Sequence, residues 1–261
     1  MDRSLSAAVA RSADIFSQEI RRGPLNPKKR PVTPATTTRA FRDYHISYLG
    51  ADGKVHDATR GARAHPTFEA AFSALTHGAI VQTRKGVMSV EDLMPGDELR
   101  LADGHYDTLL WHGSIAIKPG GRAAHALTRI TADAMGFNRP APDLVLGPSA
   151  RLLHRAGGVR KLTGCDAAFI PAADFIDGIS VLALAPTAPM MVYQLGFARQ
   201  CSLNVNGLEI ETLHPGTAFE LGLRGDMLAD YLSLFPHKAT YEDFGIMRYP
   251  RLNRKDLELL G

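Results

Sequence analysis

The chain is poor in cysteine. It has two, Cys165 and Cys201, in 261 residues. Two cysteines make no disulfide framework, and no CxxC or His/Cys pair has the spacing of a zinc site, so no metal is expected. A reducing, cytoplasmic location fits this usage, with non-classical secretion left open. The sequence also lacks any run of 18 apolar residues, so no membrane-spanning helix is expected. The N-terminus has no continuous apolar stretch of the secretory kind, and Asp14 and Glu19 argue against a mitochondrial transit peptide. No phosphate-cradling loop is present, since "KPGGR" lacks the spacing and the Lys-Ser/Thr ending, and no cofactor is expected. A Ser-His-Asp order is missing too.

Charge is unevenly spread. Residues 1–66 hold 12 Lys/Arg against 6 Asp/Glu, a net of +6 in a chain whose total is +3. The basic residues lack the interleaved aromatics of a stacking platform, so no nucleic acid is expected as partner. A solvated arm is the plain reading. A docking arm for a protein partner is the sharper one.

With 45% hydrophobic residues, the composition is that of an ordinary globular chain. Residues 1–22 place Leu5, Val9, Phe16 and Ile20 on one helical face, predicting an amphipathic helix. Residues 23–43 are a proline-rich, basic linker. Residues 44–66 form a hairpin segment, with an Asp-Gly turn at 52–53 and a short loop at 61–66. In "TFEAAFSALTHG" (67–78) the spacing of Phe68, Phe72 and Leu75 predicts a helix stopped by Gly78. From residue 79, short apolar runs alternate with turns such as "MPGD", "ADG" and "VNG", which predicts a mostly β domain. After residue 216 the tail, 217–261, turns helical, with "DMLADYLSLFP" (226–236) ending at Pro236. That C-terminal helix is a second candidate for docking a partner.

Three blocks point further. They are "GAIVQTRKGVMSVEDLMPGDELRLADG" (78–104), "RITADAMGFNRPAPDLVLGPSARLLH" (129–154) and "VYQLGFARQCSLNVNGLEIETLHPG" (192–216). Together they resemble the Hint family, the Hedgehog/intein autoprocessing fold, and within it the branch common in alphaproteobacteria. The resemblance covers about residues 70–216, within a Hint-like domain placed at 67–216. It implies an all-β horseshoe with short terminal helices, and self-cleavage by an acyl shift. In that chemistry a Cys or Ser attacks the carbonyl before it, and a Thr-x-x-His block holds the amide and protonates the leaving nitrogen.

Carried onto this chain, the resemblance puts the nucleophile at Ala74, four residues before Gly78. The hydroxyl residue and histidine of the second block fall on Gly147 and Ala150. A His-Glu pair in the third block falls on Gln200 and Cys201. None of these replacements keeps the family's chemistry. The expectation is therefore a degenerate Hint domain acting as a β scaffold or interaction module. The alternative is an active self-processing protein cutting near residues 73–74, with Ser73 as nucleophile or His154 as base. His77 also lies near the first block, and Ser149 reads as a turn residue. A third reading, an unrelated β-rich hydrolase or small-ligand binder, calls for a pocket lined by convergent polar groups.

Overall fold

The computed structural model describes residues 41–120 and 126–258. The predicted N-terminal helix and nearly all of the linker lie outside these residues. Strands β1 (Phe41–Leu49) and β2 (Val55–Arg63) form an antiparallel hairpin in which Phe41 faces Arg63 and Leu49 faces Val55. The turn closes through Gly50 N–H on the Lys54 carbonyl at 2.8 Å, and Asp52 accepts from Lys54 N–H. β2 runs to Arg63, so residues 61–63 belong to the strand and not to the predicted loop.

A short helix, α1 (Pro66–Ala70), leads into β3 (Leu75–Thr76). Strands β4 (Ile80–Thr83), β5 (Gly86–Ser89), β6 (Glu98–Arg100), β7 (Tyr106–Thr108) and β8 (Trp111–Ile117) follow. Next come β9 (Leu127–Ile130), β10 (Leu144–Leu146), β11 (Arg151–His154), helix α2 (Gly157–Thr163), β12 (Ala168–Pro171) and β13 (Val181–Leu184). The last strands are β14 (Met190–Gly196), β15 (Ser202–Val205) and β16 (Leu208–Glu211). Helices α3 (Ala218–Leu221), α4 (Gly225–Leu232) and α5 (Arg254–Glu258) complete the described chain.

The fold is mostly β, in two antiparallel sheets. One runs β13-β9-β10-β3-β14-β8-β1-β2. The other runs β12-β11-β16-β15-β4-β6-β7, with β5 on β4. Turn chemistry sets the register where strands reverse. Asn206 and Gly207 both have positive φ, 49° and 89°, as a two-residue β15–β16 hairpin requires. Asp177 Oδ1 accepts three successive backbone N–H groups, from Ile179, Ser180 and Val181, and so launches β13.

Two cores result. One is aliphatic, with Val81, Leu99, Ile130, Leu146, Leu203 and Ile210 at 0–4% exposure between the sheets. The other is aromatic and draws on distant parts of the chain: Tyr44, Phe68, Phe72, Trp111, Tyr231 and Phe235. Trp111 packs edge-on against Phe72 with ring centroids 5.0 Å apart, and lies 5.1 Å from Phe235. Its indole N–H donates to the Leu234 carbonyl at 3.0 Å, satisfying its one polar group. The C-terminal helix is shorter than predicted, ending at Leu232. Tyr231, Leu234 and Phe235 are buried in this core, so the apolar residues of that segment are used within the chain.

His237 stacks on Trp111, and among the described residues neither buried ring nitrogen has a hydrogen-bond partner. Burial, helped by the Lys238 ammonium, lowers its pKa from 6.5 to about 3. The folded state thus holds a neutral ring while the unfolded chain binds a proton below about pH 6.5. Nothing is lost above that pH. Below it stability falls continuously, by about 2 kcal/mol at pH 5. Burial of His112 and His214 acts in the same direction. Urea denaturation at pH 7 and pH 5 measures the loss. His237→Phe, which keeps a flat apolar ring there, should shrink it.

Candidate functional site

The stretch from α1 to β3 is the first half of the site. His65 caps α1, its Nδ1 accepting from Thr67 N–H, and Pro66 sits at the first helical position, where a missing N–H is harmless. The helix stops at Ala70, and this corrects the predicted helix over 67–78. Leu75 is in a strand, paired with Tyr193 on one side and Leu146 on the other. The spacing of Phe68, Phe72 and Leu75 reflects burial in two cores by a turn and a strand, not one helical face.

Ser73 and Ala74 join the turn to β3, and the Gly147–Ala150 turn closes over them. Ser149 N–H donates to the Ser73 carbonyl at 3.1 Å, and Gly147 N–H to the Ala74 carbonyl at 2.8 Å. Ala74 N–H donates to the Tyr193 carbonyl at 3.0 Å. The Ser73 hydroxyl donates to the Ser149 hydroxyl at 3.2 Å. The Ser73–Ala74 peptide is therefore held on both sides by backbone. Gly147 is required for this approach: a Cβ there would lie 2.1 Å from the Ser73 carbonyl oxygen. Ser73, Ala74 and Ala150 are each at most 2% exposed. Beside this peptide Ala74 and Ala150 present methyl groups, which neither attack a carbonyl nor donate a proton.

Gln200 is 1% exposed. Its amide N–H donates to Glu211, and its carbonyl accepts from Arg248 N–H at 2.7 Å, so it ties the tail to β16. Cys201 is 2% exposed, its sulfur 3.4 Å from the Thr212 hydroxyl. Burial pushes its thiol up to about 12, so it stays protonated at neutral pH. Cys165 is half-buried at the end of α2. His154 stands at the far end of β11, opposite Ala168, with its ring 5.8 Å from Phe175. Four residues along a strand separate it from Ala150 by about 13 Å. His77 is exposed on the turn after β3, 3.3 Å from Glu91.

A cavity of about 400 Å³ opens beside this turn. Ser149, Arg151, Gln194, Glu211, Tyr231 and Arg251 supply much of its polar wall. Sequence reasoning missed these residues, apart from Ser149. Arg251 comes from the tail and Tyr231 from α4, and no local pattern announces that either returns to β16.

Residues 73–217, more than half of the chain, match the Hint domain family. The chain belongs to the Hint domain family. Among curated proteins none matches significantly. Solved structures similar to this Hint protein include a bacterial intein-like domain from Clostridium thermocellum, at 12% identity and TM-score 0.38, covering 54% of this chain and 99% of that one. A splice-inactive variant of the AceL NrdHF class 3 split intein has 13% identity and TM-score 0.36, covering 54% and 97%. The MchDnaB-1 intein has 17% identity and TM-score 0.31, covering 54% and 99%. The family assignment rests on the family match.

Proposed function

We propose that this Hint domain no longer cleaves itself and serves as a β scaffold or interaction module. The observation that carries the reading is the Ser73–Ala74 peptide. It is buried, its carbonyl accepting from Ser149 N–H and its N–H donating to the Tyr193 carbonyl, and residues 74 and 150 bear only methyls. An acyl shift at this bond needs a nucleophile on residue 74, and a leaving amide needs a proton donor. Ala74, Gly147, Ala150 and Gln200 supply neither role. In this reading the basic N-terminal arm meets a protein partner in the cytoplasm or after non-classical export, and the chain is of the alphaproteobacterial branch.

One observation favours the alternative, an active self-processing protein. The Ser73 hydroxyl, which in an N-to-O shift would attack the Phe72 carbonyl, is held at 3.2 Å by the Ser149 hydroxyl. A serine needs an adjacent base far more than a cysteine does, and its recorded partner here is another hydroxyl. The deciding experiment is the intact mass, under denaturing conditions, of full-length protein tagged at both ends, after a day with and without thiol. One unchanged mass is expected. Two fragments summing to the whole, with a junction at 72–74 and lost in Ser73→Ala, would overturn the proposal. An unchanged mass leads to pull-downs with and without the arm.

A further inference from the structure

The cavity beside β11 contains more hydrogen-bond donors than the fold uses. Several of its polar groups are fully engaged. Glu211 is clasped by Arg251, with Nε 3.0 Å and 3.2 Å from its two oxygens. His214 accepts from Gly216 N–H at Nδ1 and faces the Gly245 carbonyl with Nε2, which holds it neutral. Glu220 caps its own helix through Thr217 N–H and is exposed at the rim.

Three other groups donate no side-chain hydrogen bond among the described residues. Arg151 comes no nearer to an acceptor than 3.6 Å, at Glu211, and makes no hydrogen bond among the described residues. Tyr231 is 1% exposed and lines the cavity, yet its hydroxyl has no partner among the described residues. Gln194 is 7% exposed; its carbonyl accepts from Leu195 N–H, and its amide N–H groups have no acceptor among the described residues. A guanidinium, a phenol and an amide thus converge on one space. These donors face the cavity instead of being sealed from water, so together they form a surface to which a small acceptor could bind.

We infer that this cavity binds a small monocarboxylate, its carboxylate on Arg151, Gln194 and Tyr231 and its apolar part against Ala70, Ala71 and Leu221. A planar guanidinium matches a carboxylate in a bidentate fork. The wall also holds apolar surface for a short tail, and the volume is in the range of small-ligand sites. Charge sets the valence. Among the lining residues two guanidiniums, Arg151 and Arg251, stand against two carboxylates, Glu211 between them and Glu220 at the rim, so the site has no excess positive charge for more than a monoanion. A dianion such as phosphate would meet both carboxylates with no excess positive charge to answer it.

The test uses the full chain, with hexanoate, benzoate and inorganic phosphate as probes in calorimetric titration and thermal denaturation. Saturable binding of hexanoate or benzoate at about 1 mM or tighter is expected, with a rise in Tm. Arg151→Gln should weaken it about tenfold or more, since a charged hydrogen bond is lost. Tyr231→Phe keeps the ring packing and should weaken it several-fold. Arg155→Gln, which removes an exposed pair with Glu209 on the same strand edge, should leave it unchanged. Should Arg151→Gln fail to fold, Tyr231→Phe carries the test alone. Absence of carboxylate binding at about 10 mM, binding of phosphate alone, or unchanged binding in the folded variants would overturn the inference.

Discussion

Gly147→Ala is expected to cost at least about 3 kcal/mol, among the largest losses a single methyl can produce. The added Cβ would sit 2.1 Å from the Ser73 carbonyl oxygen and 2.7 Å from its carbon. Both are backbone atoms in a strand entry pinned by Ser149 and Tyr193, so neither can move aside alone. Gly157→Ala is the matched control. A Cβ there meets nothing within 4 Å, at the first position of α2. It should be neutral or stabilise by up to about 1 kcal/mol through the unfolded chain. Urea denaturation of both variants measures the difference. A Gly147→Ala protein as stable as the parent would mean that the turn does not press on Ser73 as described. The same contact bears on any attempt to restore the family's hydroxyl residue. Threonine at 147 would have to push the Ser73 carbonyl away before it could do chemistry on it.

The contact also marks what could be read from the chain. Short apolar runs between Gly, Pro and Asp turns signalled a mostly β fold, because strand spacing and turn chemistry are local. Family blocks directed attention to residues 73–74 and 147–150, which no periodicity would have joined across some seventy positions. The end of α1 was not legible. Phe68, Phe72 and Leu75 are buried at helical intervals, and only sheet pairing of Leu75 with Tyr193 reveals the strand. The cavity was less legible still. Arg151 lies beside Ala150 in the sequence and looks like an outward strand residue. Its neighbours Tyr231 and Arg251 arrive from 80 and 100 positions away.

Glu211→Ala should destabilise the fold by about 3–5 kcal/mol, the usual penalty for stranding one half of a buried ion pair. Glu211 is 5% exposed and Arg251 nearly as deep. Removing the carboxylate leaves the Arg251 guanidinium with the His214 carbonyl, at 2.7 Å, as its hydrogen-bond acceptor among the described residues, takes away the ion-pair partner of Arg151, and frees the Gln200 amide. Because Gln200 and Arg251 hold the tail, protection against hydrogen exchange should fall first at residues 245–252. Glu211→Met with Arg251→Met should recover most of the loss, since it removes both charges together. If Glu211→Ala costs under about 1 kcal/mol, the pair does not anchor the tail.

The hairpin that precedes the family-matched region is not a leader hung on its front. Residues of β1 pair with β8 next to the β2 end of the first sheet, His45 opposite Ser114 and Tyr48 opposite Trp111, while Tyr44, Phe68 and Phe72 fill the core around Trp111 and Phe235. A break between Ser73 and Ala74 would sever one covalent bond and leave all of these contacts in place. The result would be a nicked, non-covalent complex of two interlocked pieces. It would behave in solution as the unbroken chain does and come apart only on unfolding. Residues 73–217 alone, by contrast, would bare both the edge of β8 and an aromatic face, and should aggregate.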